Sequence, residues 1–167
     1  MPTLKRLLAA TDFSAMANHA TERAALIARN TGASLDLIHI ATPALLGKFR
    51  RLAQEFSAPT EAEQELLDSA KKELRQQAAG ILERHGISSD IHVASGTLIK
   101  ALAGHADATG ADLIVLGFCG ASLMRHLLLG STAERLATKA PCPMLVVKNN
   151  TDLEYRSVLI PVDFSPV

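Results

Sequence analysis

Short runs of consecutive apolar residues alternate along this chain with longer stretches of helical spacing. Leu7 to Thr11 is an apolar run closed by Asp12, which predicts a buried strand. An Ala-rich helix follows from about Ala15 to Asn30. Ser14 or Asn18 can cap its start, and Gly32 stands just past its end, where helix C-termini favour glycine. Ser34 to Ile40 predicts a second strand. Leu45 to Phe56 has helical apolar spacing that Ser57-Ala58-Pro59-Thr60 breaks. Thr60 can cap a long charged helix from about Glu61 to Arg84, stopped by Gly86. Its stripe is Glu63, Leu66, Leu67, Ala70 and Leu74, and its other faces are charged and solvated. Ile87 to Ala94 predicts a third strand, and Gly96-Thr97 opens a helix that runs to about Thr109 before Gly110. Asp112 to Gly117 predicts a fourth strand, Ser131 to Ala140 a helix, Pro141-Cys142-Pro143 a rigid turn and Met144 to Lys148 a fifth strand.

Apolar strands separated by helices describe an α/β protein with a parallel sheet covered on both faces and right-handed crossovers. Ligands of such sheets bind beyond the carboxyl ends of the strands, where the strand order reverses. The places to look are therefore just after Thr11, Ile40, Ala94 and Leu116.

Composition narrows the function. Of 167 residues 48% are hydrophobic, enough for one packed domain without disulfide staples. Lys+Arg and Asp+Glu both number 17, which argues against general nucleic-acid affinity and against a polybasic membrane anchor. Aromatics at 4% with no Trp make base-stacking platforms improbable. Two cysteines without a CxxC pair exclude a disulfide scaffold and a zinc finger. The apolar run before Asp12 is too short for a signal or spanning segment, and a reducing, cytoplasmic home is the simplest expectation.

The segment after the fourth strand carries the most chemistry. Gly117-Phe118-Cys119-Gly120 is followed by nine residues and then by Gly130-Ser131-Thr132. Glycines let the main chain approach a phosphate, and N–H groups at a helix N-terminus attract anions. Ser131 to Glu134 also reads as a capping box, which would make this a plain helix start. No GxxxxGK[ST] occurs and no GxGxxG follows the first strand, so neither a P-loop nor a dinucleotide site is expected. With no lysine at the phosphates and no evident base to activate water, fast hydrolysis is not expected.

The Gly-x2-Gly-x9-Gly-Ser spacing resembles the ATP-binding signature of universal stress proteins. So do Ala10-Thr11-Asp12-Phe13-Ser14, Leu37-Ile38-His39-Ile40 and the segment from Ala140 to Val147, so that the resemblance covers about residues 3–148. It implies a Rossmann-like fold of the adenine nucleotide alpha hydrolase type, a five-stranded parallel sheet with helices on both faces, and ATP with Mg²⁺ across its carboxyl edge. Carried onto this chain, Asp12 contacts the nucleotide, while Ala10, Thr11 and Leu116 line the pocket and Ile40 packs near adenine. Gly117 and Gly120 hold ribose and phosphates, and Gly130, Ser131 and Thr132 take the phosphate tail. Ala10 stands where many members have proline, a mild departure. Asp12 offers a contact to the ribose or to nucleotide-bound Mg²⁺; its alternative role is to cap the next helix. Arg125 and His126 either meet phosphates or are solvated.

The family reading implies a stress-response sensor or signalling module with an unidentified protein partner. The alternatives are a slow ATPase or phosphotransfer enzyme and a nucleotide-free interaction module. The fifth strand, Met144 to Lys148, is expected at a sheet edge, where a second copy can pair to form a homodimer. Residues 156–166 repeat the start of the chain: Leu8, Asp12, Phe13 and Ser14 recur as Leu159, Asp163, Phe164 and Ser165. Either two apolar strands agree by chance, or residues 1–148 form one domain, 149–155 a linker and 156–167 the opening strand of a tandem second domain. Redox sensing at Cys119 is a minor alternative, and Cys142 is expected to serve packing. His39 and His92 are expected as satisfied core or rim residues. His19, His85 and His105 show no i,i+4 ligand pair that would argue for zinc.

Overall fold

The computed structural model describes residues 4–42, 61–118 and 138–148, together with Tyr155, Ser157 and Leu159. Eight elements follow one another: β1 (Arg6–Ala10), α1 (Ala15–Thr31), β2 (Ser34–Ala41), α2 (Glu61–His85), β3 (Ser89–Ser95), α3 (Leu98–Thr109), β4 (Leu113–Gly117) and β5 (Met144–Val147). Every strand pairing is parallel, and the strands lie in the order β3-β2-β1-β4-β5. The fold is the expected Rossmann-like α/β architecture. The apolar stretch 45–56 and most of the predicted helix 131–140 lie outside the described residues.

The pleat of the strands sorts their side chains onto two cores. On one face Leu7, Ala9, Leu35, Leu37, Val115 and Val147 pack under α1 and α2; on the other Leu8, Ile38, Ile40 and Ile114 pack under α3. Helix α1 meets the sheet through Ala17, Ala20, Ala24 and Ala28, all buried. Their small side chains bring its backbone close to the strands. Helix α2 adds Leu74 and Ile81, both fully buried, and Ala70 of the predicted stripe is buried with them.

Local signals explain the boundaries. Ser14 is the N-cap of α1, its hydroxyl accepting the Ala17 N–H at 3.2 Å, which settles the choice between Ser14 and Asn18. Gly32 and Gly110 end their helices in the left-handed conformation, at φ 74° and 66°. Thr97 sits at the N-cap of α3, but its side chain makes no cap hydrogen bond. The third strand starts at Ser89, two residues later than the apolar pattern predicts.

At the outer rim α1 and α2 are joined by polar contacts. Glu22 accepts hydrogen bonds from Arg84 and from His85 Nε2, the latter at 2.5 Å. Gln77 donates to Asn18 Oδ1 and Thr21 Oγ1 at 2.8 and 2.9 Å. Burial pushes the Glu22 carboxyl up, but the bonds from Arg84 and His85 outweigh it and hold the group below its ordinary value. Among the described residues no helix is long and apolar enough to cross a membrane.

Candidate functional site: the opening between β1 and β4

The sheet order reverses direction between β1 and β4, and there the two strands part. Their paired register ends at Ala9↔Val115. On the outer sides the ladders run further: β1 stays with β2 through Ala10↔Ile38 and the Thr11 N–H bond to the Ile38 carbonyl at 2.9 Å, and β4 stays with β5 through Gly117↔Val147. Beyond that point Ala10 and Thr11 are not paired with Leu116 and Gly117. In parallel α/β proteins the carboxyl edge of the sheet at such a reversal of strand order is where ligands bind.

The predicted residues that the structure describes fall into two groups at this edge. Ala10, Ile40 and Leu116 belong to one apolar cluster on the α3 face, together with Ala94 and Leu98. They make an apolar floor suited to a flat ring. Thr11, Asp12 and Gly117 form the rim beside the start of α1. Thr11 is buried and Asp12 is exposed. No acidic residue occupies the first turn of α1, so the carboxylate nearest its positive end is Asp12, two residues ahead of the Ser14 cap. Gly120, Gly130, Ser131 and Thr132 lie outside the described residues, as do Cys119, Arg125 and His126.

Phe13 is the conformational key to the rim. It holds φ 63°, and it is the non-glycine residue with positive φ among those described. For a bulky residue that conformation is strained, by roughly 1–3 kcal/mol. Three contacts hold it. The Phe13 N–H donates to Thr11 Oγ1 at 3.0 Å, its ring stacks on His39 with centroids 4.6 Å apart, and His39 Nδ1–H donates to the Thr11 carbonyl at 2.9 Å. The cycle closes on itself and fixes Asp12, which lies between Thr11 and Phe13. The Ser14 N–H donates to Asp12 Oδ1 at 3.1 Å, an Asx turn that orients the carboxylate. The helix cap is Ser14, and Asp12 sits two residues ahead of it.

Gly117 has a packing reason of its own. A Cβ there would lie 2.7 Å from the Met16 carbonyl oxygen and 3.0 Å from the Ala17 nitrogen, both backbone atoms of the first turn of α1. Only glycine lets β4 end this close to α1. Beyond it, the Phe118 N–H donates to the Val147 carbonyl at 2.9 Å, and Lys148 Nζ lies 5.5 Å from the centre of the Phe118 ring. Phe13, His39 and Lys148, to which the sequence reading assigned no binding role, thus stand at the same edge as the predicted residues. Phe13 and His39 do lie inside the segments that carried the resemblance. The satisfied rim role expected of His39 is what the structure shows. Cys142 is half-buried against the α3 core, and burial pushes its thiol up, away from the reactive range.

The profile of the universal stress protein family matches residues 3–148. The chain belongs to the universal stress protein family. Universal stress protein YxiE of Bacillus subtilis is 24% identical over 150 residues, covering 86% of this chain and 98% of that protein. The solved universal stress protein UspA of Lactobacillus plantarum superposes with a TM-score of 0.72 at 24% identity, covering 89% of this chain and all of that one. Two further family structures carry nucleotides. One is a universal stress protein in complex with cAMP, with a TM-score of 0.64 at 22% identity over 90% of this chain and all of that one. The other, from Archaeoglobus fulgidus, is in complex with dAMP, with a TM-score of 0.61 at 22% identity over 89% of this chain and all of that one.

Proposed function

We propose that this universal stress protein binds an adenine nucleotide, ATP with Mg²⁺, in the crevice between β1 and β4, and that it acts in the cytoplasm as a stress-response sensor or signalling module. The observation that carries the reading is the early end of the β1–β4 ladder at Ala9↔Val115, with the Asp12 carboxylate held by an Asx turn beside the opening. The cAMP and dAMP complexes of two family structures support it.

In this reading Ala10, Ile40 and Leu116 receive the adenine ring, and Asp12 meets the ribose or the metal. Gly117 and Gly120 lie beside ribose and phosphates, while Gly130, Ser131 and Thr132 take the phosphate tail. Mg²⁺ is held mainly by phosphate oxygens and water and needs only one or two protein carboxylates. The exposed Asp12 fits that requirement. Bound Mg²⁺ neutralises phosphate charge. The strand β5, at the edge of the described sheet, is the surface on which a second copy pairs.

Calorimetric titration of the nucleotide-free chain with ATP and Mg²⁺ tests the reading, alongside mass spectrometry of nucleotide released from freshly purified, denatured protein. Saturable binding and a rise in melting temperature are expected. Absence of both bound nucleotide and titratable binding would overturn it.

A further inference from the structure

The α3 face buries a carboxylate, Asp36. Asp36 points into the same layer as Leu8, Ile38 and Leu102, and its side chain is 1% exposed. Arg6 Nη1 meets its Oδ2 at 3.4 Å. Oδ1 is buried with no hydrogen-bond partner among the described residues, and so is Nε2 of His105, which descends from α3. A buried polar atom without a partner is destabilising. Here two belong to neighbouring residues. His92 from β3 completes the group, its Nε2 4.0 Å from Asp36 Oδ2 and its ring centroid 4.4 Å from that of His105. One ligand atom from each of Asp36, His92 and His105 lies within 4.8 Å of the other two.

We propose that Asp36, His92 and His105 form a binding site for a divalent transition metal of the zinc class. The donor set, two imidazoles and a carboxylate, is one that zinc accepts, with a fourth position for water. Ligand atoms about 2.0–2.1 Å from a tetrahedral zinc stand roughly 3.3 Å apart, so the widest separation has to close by about 1.5 Å. Side-chain rotation of His92 supplies much of this, since that residue is 35% exposed and sits at the sheet edge, where an ion can enter. Oδ1 of Asp36 can take the metal while Arg6 stays on Oδ2. Arg6 is itself 38% exposed and can also swing outward.

The site is separate from the nucleotide crevice. Asp36 precedes Ile40 by four residues on β2, about 13 Å toward the other end of the sheet. The spacing rules used on the sequence do not reveal it, because its ligands come from three elements. Its trace in the sequence is Asp36 itself, a charge in the middle of a buried strand.

The test titrates the full-length chain, without nucleotide, with Zn²⁺ alone and with Co²⁺ as a spectroscopic substitute. Wild-type protein is expected to bind one Zn²⁺ per chain, to melt at higher temperature with it, and to give the visible absorption of tetrahedral Co²⁺. The variants His92→Ala and His105→Ala are each expected to weaken binding by at least ~10-fold. Both replace partly exposed residues, and circular dichroism confirms their folding. Failure of the wild-type chain to bind Zn²⁺, or binding unchanged in both variants, overturns the proposal. Neither result bears on nucleotide binding.

Discussion

The two ends of β1 treat its neighbour β4 in opposite ways. At the amino end the Asp112 carboxylate, just ahead of β4, accepts the backbone N–H groups of Lys5 and Arg6 at 2.7 and 2.9 Å, and the Asp112 N–H donates to the Arg6 carbonyl at 2.9 Å. The strands are tied. At the carboxyl end their ladder stops after Ala9↔Val115, and Phe13 is held at φ 63° by Thr11 and His39. The strands are unpaired there and the turn is strained. A sheet can open at one end without losing register because the other end is clamped. The polar groups at the two ends are spent differently: Asp112 on the backbone of the fold, Asp12 beside the opening.

The largest effect that tests this contrast is expected at Gly117. Gly117→Ala drives a Cβ into the backbone of Met16 and Ala17 and should destabilise the fold by roughly 1–3 kcal/mol, read from the midpoint of urea unfolding. Wild-type stability would show that α1 and β4 are not in close contact at the crevice. Asp12→Ala should leave the midpoint within ~0.5 kcal/mol and weaken ATP–Mg²⁺ binding about 10-fold, the scale of one hydrogen bond to a charged group. Unchanged affinity would remove Asp12 from the site. The smallest effect belongs to the clamp. The backbone N–H groups of Lys5 and Arg6 hold the half-buried Asp112 carboxyl below its ordinary value. Its contribution to stability is therefore present above the unfolded-state value of about 3.9 and fades as pH falls through the lower folded value. Asp112→Asn should flatten stability against pH in that acid window and change little at neutrality. An unaltered acid profile would show that the clamp carries no charge-dependent stability.

Much of the fold was legible because its signals are local. Asp112 to Gly117 is apolar enough to be a buried strand whatever surrounds it. Ser14, Gly32 and Gly110 punctuate helices through their own backbone chemistry. The edge proposed as the site was legible in outline, since α/β connectivity places sites at strand ends and Thr11 and Leu116 mark two of them. What the sequence concealed is contact between distant residues. The hydrogen bonds of Asp112 cross more than a hundred positions. Gly117 read as a glycine beside ribose and phosphates; the structure adds a second need for glycine that the sequence hid, its close contact with α1. A phenylalanine at positive φ has no pattern in sequence, because what holds it there is His39, a strand away. Asp36, His92 and His105 meet only once β2, β3 and α3 are packed.

Amide hydrogen exchange, measured with and without ATP and Mg²⁺, tests the central claim most directly because it reads both ends of β1 in one experiment. The account predicts added protection at residues 10–14 and 116–118, with Lys5, Arg6 and Asp112 unchanged. Protection spread evenly along β1, or none at the carboxyl edge despite saturating nucleotide, would contradict it.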